Sequence, residues 1–279
     1  MKKIFLMVFM LINVLLVTSC ARIIYEPTFD EYAIETREMN PSNQYESTPE
    51  KAIENLIDDE YITANILIEN KSDKGFASIF FGSEGKLGSG VIFYETEDFY
   101  YALTNAHVVS DYQDDFYSIY VTDYYENTYL AYVYEGSYQK TYDLAVIVFM
   151  KKAAELHVME IKTTQLIWTQ DVIAVGNPNG DRNIITRGKY MSSDYIDIMT
   201  DEGIPEEKPY PFYIHSAFIE PGSSGGMLLD LSLSLVGINT AAATDYFDAF
   251  IEGYAIPGYV LVDYLEDYVY VEISETKSA

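Results

Sequence analysis

The apolar and polar positions change pattern several times along the chain, and most of the patterns read as strand. An apolar run, Ile4 to Val17, interrupted only by Asn13, follows Met1-Lys2-Lys3. From Arg22 to about Pro49 the chain is polar, holds Pro27, Pro41 and Pro49, and shows no apolar period, which predicts a tether or loose arm. Ser47-Thr48-Pro49-Glu50 can start a short helix, with proline in its first turn and Ile53, Leu56 and Ile57 on one face. Period-two alternation then places Ile62, Ala64, Ile66 and Ile68 on one side of a strand.

Further strand signals recur at short intervals: Val91 to Phe93 after a glycine turn, Tyr100 to Thr104, Ile119 to Val121, and Tyr129 to Val133. Leu144 to Phe149 is a continuous apolar run, as expected of a buried strand. Lys151 to Thr163 reads as a crossing, and strands resume near Leu166. The acidic stretch from Asp194 to Pro211 holds Pro205, Pro209 and Pro211 and predicts a surface loop. Leu261 to Leu265 predicts a short terminal helix. Many short strands broken by turns imply an all-β chain, and the 27 tyrosines lean the same way.

Charge narrows the function classes. With 17 basic and 44 acidic residues the net charge is -27, so a nucleic-acid role is excluded on the lack of Lys and Arg clusters. The acids Asp111, Asp114, Asp115 and Asp123 lack the spacing of a calcium loop and predict a solvated hairpin. No metal site is expected.

The candidate chemistry starts at Glu220-Pro221-Gly222-Ser223-Ser224-Gly225-Gly226, a serine in a glycine-rich turn ahead of apolar residues. The glycines allow close approaches that can aim the amides of Gly222, Ser223 and Ser224 at one small space. Leu87-Gly88-Ser89-Gly90-Val91-Ile92, Leu103-Thr104-Asn105-Ala106-His107-Val108-Val109, Asp143-Leu144-Ala145-Val146, Ala174-Val175-Gly176-Asn177-Pro178 and Gly237-Ile238-Asn239-Thr240-Ala241 occur in order. Together these segments resemble trypsin-like serine proteases of the bacterial HtrA/Deg kind. The resemblance covers roughly Leu87 to Tyr268. It implies two six-stranded antiparallel β-barrels of chymotrypsin type with the active site between them and a short C-terminal helix. It also implies a catalytic triad of His107, Asp143 and Ser224, with intervals of 36 and 81 residues that leave room for the intervening strands. In that reading Gly222, Ser223 and Ser224 form the oxyanion hole, and Asn239, Thr240 and Ala241 pair with the substrate backbone. No cofactor is required. His157 and His215 fall outside the motif positions and receive no catalytic role. His215-Ser216-Ala217 stands where the family usually has Thr-Asp-Ala, so Ser216 becomes a candidate for the missing hydrogen bonds.

Phe218 lies six residues before Ser224, where trypsin-like enzymes line the base of the primary pocket. The absence of an acid there argues against a Lys or Arg preference. Phe218 and Ala241 point to a small or medium apolar residue. The Gly237 to Ala241 strand has no histidine, which disfavours glutamate specificity.

The amino-terminal run has the length of a signal-peptide core and is short for a spanning helix. It ends Val17-Thr18-Ser19-Cys20, at the only cysteine in the chain, and resembles the lipobox of bacterial lipoproteins. That implies cleavage before Cys20, its lipidation, and an extracytoplasmic location on a bacterial cell membrane. The expected organisation is a signal peptide at 1–19, a lipidated arm at 20–60, a first barrel at 61–160, a second barrel with its helix at 161–270, and a tail at 271–279. Only 22 residues follow Pro257, too few for the PDZ domain common in HtrA chains. The expected partners are a polypeptide substrate and the membrane, through the lipid; the sequence assigns no oligomeric state. The alternative function is a surface binding module on a protease scaffold, catalytically silent or inhibited by its own arm.

Overall fold

The computed structural model describes residues 22–24, 47–72, 85–112, 117–152, 154–199 and 205–269. Cys20, Asp114 and Asp115 lie outside them. The first barrel contains β2 (Asn65–Ser72), β3 (Gly85–Glu95), β4 (Phe99–Thr104), β5 (Tyr117–Thr122), β6 (Thr128–Val133) and β7 (Ala145–Met150). It closes in the order β2-β3-β4-β7-β6-β5 with β5 returning to β2. Closure leaves no open edge and gathers Ile66, Ile68, Val91, Leu103, Val146 and Phe149 into a buried core.

The second barrel contains β8 (Asp171–Gly176), β9 (Ile184–Asp194), β12 (Phe212–His215), β13 (Met227–Leu229), β14 (Leu235–Thr244) and β15 (Phe250–Pro257). Its order is β14-β13-β8-β9-β12-β15, and β15 pairs back on β14. Outside this ring, β1 (Arg22–Ile24) lies parallel to β14 and opposite Ala242, Ala243 and Thr244. The expected pair of six-stranded antiparallel barrels is therefore present.

Helix α1 (Pro49–Asp58) starts as its sequence predicts: Pro49 occupies the first turn, and Thr48 Oγ1 accepts the Lys51 N–H at 3.3 Å. Ala52 and Leu56 are buried, and the helix packs near β8. Helix α2 (Gly258–Tyr268) follows β15 and buries Val260, Leu261, Tyr264 and Leu265. The Tyr264 hydroxyl donates to the Ser137 carbonyl, tying this helix to the first barrel. Among the described residues no helix is long and apolar enough to cross a membrane.

Two sequence expectations need correction. Tyr61–Ala64 forms a 3-10 turn, and the strand starts only at Asn65. Ile62, Thr63 and Ala64 are all buried, so inside-outside alternation does not apply there. The stretch from Asp194 to Pro211 is also more than a surface loop. It contains β10 (Ile198–Met199) paired with β11 (Pro205–Glu206), followed by the buried residues Lys208 and Tyr210.

Candidate active site

Three chain segments meet between the barrels. His107 lies in the 3-10 turn Ala106–Val109 that follows β4. Asp143 ends the turn before β7 and has φ +51, a left-handed conformation that costs a residue with a Cβ about 1–2 kcal/mol. Its own N–H closes the turn on the Lys140 carbonyl at 3.1 Å, and Asn105 Nδ2 donates to its carbonyl at 3.1 Å. These bonds aim the carboxylate at His107. Nδ1 of His107 lies 3.0 Å from Asp143 Oδ1 and 2.9 Å from Oδ2, and the His107 backbone N–H donates to Oδ1 at 3.1 Å.

Thr240 on β14 joins the other two segments. Its hydroxyl donates to Asp143 Oδ2 at 2.7 Å, while its carbonyl accepts the Ser224 hydroxyl at 3.0 Å. Nε2 of His107 is buried and has no hydrogen-bond partner among the described residues. Burial alone would make ionisation of Asp143 harder. The His107 ring, the hydrogen bonds from His107 and Thr240, and the charge of Lys208 outweigh that effect and hold the carboxyl below its ordinary range.

The serine loop is shaped by long-range acceptors and donors. Asn179 N–H donates to the Pro221 carbonyl at 2.7 Å, and Gly226 N–H donates to the Ser223 carbonyl at 2.9 Å. A trans peptide carries its C=O and N–H on opposite sides, so these contacts turn the Gly222 and Ser224 N–H groups away from Asn179 and Gly226. The Ser223 N–H instead donates to the Glu220 carbonyl at 2.9 Å, which removes it from the expected oxyanion donors. Gly222 has φ +98, and a Cβ there would stand 2.6 Å from the Asn177 carbonyl oxygen. At Gly225, with φ +85, a Cβ would stand 2.1 Å from the Ser89 carbonyl oxygen. Both positions therefore require glycine.

Ser89 docks the loop on the first barrel. Its hydroxyl donates to the Gly222 carbonyl at 2.8 Å and accepts the Asn177 N–H at 2.8 Å, and its own N–H donates to the Ser224 carbonyl at 2.7 Å. On sequence alone the motifs around Ser89 and Asn177 give neither residue a role. Ser89 lies between two glycines within β3 and Asn177 directly follows Gly176 at the end of β8, so a small polar side chain beside glycine is the local signal.

The remaining predicted site residues divide. Phe218, Glu220, Ser224, Ala241, Ala242 and Phe250 line part of a cavity of about 140 Å³ beside the serine. The rings of Phe218 and Phe250 meet edge to face at 5.1 Å. Asn239, expected to pair with a substrate backbone, has its own backbone groups engaged elsewhere. Its N–H donates to the Gly226 carbonyl at 2.8 Å, and its carbonyl accepts the Gly225 N–H at 2.8 Å. It therefore holds the serine loop.

His215 is fully buried on β12, with Nε2 3.1 Å from Asn239 Oδ1, and burial pushes its pKa down to about 4. Ser216 does not take up the hydrogen bonds in question, because its Oγ accepts the Lys189 N–H at 2.9 Å on the β9 side. His157 packs at a tilt against Tyr61, with ring centroids 4.2 Å apart. Asp123 is buried and closes its hairpin by accepting from Asn127 and from the Tyr129 hydroxyl. Among the described residues no group of His, Cys, Asp and Glu is arranged to hold a metal.

Comparisons with known proteins bear on the fold and the family. The chain is 34% identical over 160 residues to the serine protease Do-like HtrB of Bacillus subtilis, covering 56% of this chain and 33% of that one. It is 26% identical over 219 residues to the serine protease Do-like HtrA of Lactococcus lactis, covering 68% and 49%. It thus spans less than half the length of these curated relatives. The crystal structure of the Rv3671c protease of M. tuberculosis, in its active form, superposes with a TM-score of 0.61 at 19% identity, covering 80% of this chain and 87% of that one, a likeness of fold. The trypsin-like peptidase domain matches residues 88–238, more than half of the sequence, and the chain belongs to that family.

Proposed function

We propose that this protein is a serine endopeptidase, anchored by a lipid on Cys20 to the outer face of a bacterial membrane. The observation that carries the activity is the hydrogen-bonded line from Nδ1 of His107 to Asp143 at 2.9 Å, on to Thr240 at 2.7 Å, and from the Thr240 carbonyl to the Ser224 hydroxyl at 3.0 Å. In the proposed reaction Ser224 turns from Thr240 towards Nε2 of His107. His107 takes its proton as the oxygen attacks a peptide carbonyl, and the Gly222 and Ser224 N–H groups receive the oxyanion. Asp143 holds the imidazole in one tautomer. His107 then protonates the leaving amine, and water releases the acyl group by the same route. No metal or organic cofactor enters these steps.

The Phe218 and Phe250 walls support an apolar side chain in the primary pocket, and Thr240 and Ala241 support pairing with the substrate backbone. The anchor rests on the sequence alone: the short apolar leader, and a single cysteine where lipidation needs one. In this reading residues 1–19 are removed, 20–60 form the arm, and the barrels occupy 61–160 and 161–270.

A peptide-library cleavage assay, with fluorophosphonate labelling alongside, tests the proposal. Ser224-dependent labelling and cleavage, both abolished in Ser224→Ala, are the expected result. Folded wild-type protein that neither labels nor cleaves would instead support a silent binding module.

A further inference from the structure

The Asp194 to Pro211 segment of the second barrel reaches into the turn that carries Asp143, and Lys208 is its central contact. The Lys208 side chain is 4% exposed, and its Nζ donates to the Lys140 carbonyl at 2.9 Å. That same carbonyl accepts the Asp143 N–H at 3.1 Å, the bond that closes the turn at the residue with φ +51. Two residues on, the Tyr210 hydroxyl donates to the Tyr142 carbonyl at 2.6 Å, and the two rings stack at 6.2 Å. Burying an ammonium group costs several kcal/mol unless it is compensated, and among the described residues the ion-pair partner of Lys208 is Glu206, at 3.4 Å. A neutral donor could hold the Lys140 carbonyl without that cost.

We propose that Lys208 is a positioning residue for Asp143: from the second barrel it fixes the Lys140–Asp143 turn and brings its ammonium group near the carboxylate. The inference rests on the proposed roles of His107, Asp143 and Ser224. The titratable groups around Asp143 are His107, Lys208, Tyr138 and Tyr210, with Glu206 facing the last three. Of these, Lys208 is, with His107, the group whose charge favours the ionised carboxyl. It opposes the two phenols and Glu206, whose ionisation would disfavour a charged Asp143. The clasp also makes the Asp143 geometry depend on the second barrel, so the site can be complete only when the two barrels are docked.

The test uses the full chain labelled at its 3 histidines, with ring signals followed by NMR against pH and the His107 signal assigned by its loss in His107→Gln. Lys208→Gln keeps a donor for the Lys140 carbonyl and drops the charge; Lys208→Arg keeps the charge; Lys208→Met drops both. Removing a cation makes protonation of the coupled His107–Asp143 pair easier, so its apparent midpoint should rise by roughly half a unit or more in the Gln and Met variants and stay in place in Arg. In parallel, kcat should fall about tenfold or more in Met with KM for a short peptide little changed, the mark of lost transition-state geometry. A midpoint that does not move in Lys208→Gln overturns the proposal, even if Lys208→Met fails to fold. A wild-type chain with no Ser224-dependent reaction would sink the functional reading instead, and the NMR comparison would still decide the role of Lys208.

Discussion

Thr240→Val removes one hydroxyl from the proposed site and keeps the shape of the side chain. The lost bond is the 2.7 Å donation to Asp143 Oδ2; the backbone carbonyl that accepts the Ser224 hydroxyl stays in place. A hydrogen bond to a charged group contributes about 1.5–3 kcal/mol. Asp143 keeps Nδ1 and the backbone N–H of His107, so its charge is weakened in support but not orphaned. For a chain of this size a loss of about 2 kcal/mol corresponds to a fall in Tm of roughly 4–8 °C. If the same energy is felt in the transition state through a looser imidazole, kcat falls about 10- to 100-fold. The pH dependence fixes the cause. The folded state holds the Asp143 carboxyl below its ordinary range, so it adds stability above its unfolded value near pH ~4 and loses it as pH falls through the folded value. With Thr240 gone there is less to lose, so the Tm gap between the variant and wild type should narrow on acidification. The assay is kcat and KM on the best library peptide, with melting curves from about pH 3 to 8, a window set around the carboxylate value. Thr240→Ser, which keeps the hydroxyl, is the control. Val kinetics within about threefold of the Ser variant, or a Tm gap unchanged by acid, would refute the reasoning, because the hydroxyl would then carry less than ~0.7 kcal/mol.

His215 is buried with its pKa pushed down to about 4, so the unfolded chain binds a proton below pH ~6.5 that the folded chain refuses. Stability should therefore fall by roughly 3 kcal/mol between about pH 6.5 and 4, and His215→Thr should flatten that part of the melting profile; an unchanged slope would contradict it. The other expectation concerns β1, which pairs with Ala242, Ala243 and Thr244 on the strand proposed to receive substrate. A chain beginning at Ser47 should show a lower KM for peptides long enough to lie along β14, with kcat unchanged, and an equal or higher KM would count against competition by the arm.

What the sequence revealed and what it concealed follow one physical division. The serine turn could be read because its backbone form leaves a composition trace. The glycines at 222 and 225 answer to φ +98 and +85 and to contacts shorter than any Cβ tolerates. The barrels could be read because strands buried on closure carry apolar runs, as in β7 and β8. The failures lie where the deciding partner is remote. Ser223 is the exception: Glu220-Pro221-Gly222-Ser223 has proline and glycine at the two central positions of a type II turn, and the closing bond of that turn takes the Ser223 N–H to the Glu220 carbonyl. Asn179 and Ser89 add to it from other segments by holding the Pro221 and Gly222 carbonyls. Asn239 looked available for a substrate until the two glycine contacts of the serine loop were seen to occupy its backbone. Lys208 was hidden most completely, inside an acidic, proline-bearing stretch whose composition signals solvent. Its partner carbonyl lies 68 residues earlier in the chain. Proline fixes φ without choosing exposure, and an acidic neighbourhood can cover a single buried ammonium group. Composition therefore finds residues whose own backbone is constrained. Side chains that constrain another residue's backbone leave little trace of their own, and in this site Thr240, Ser89 and Lys208 are of that kind.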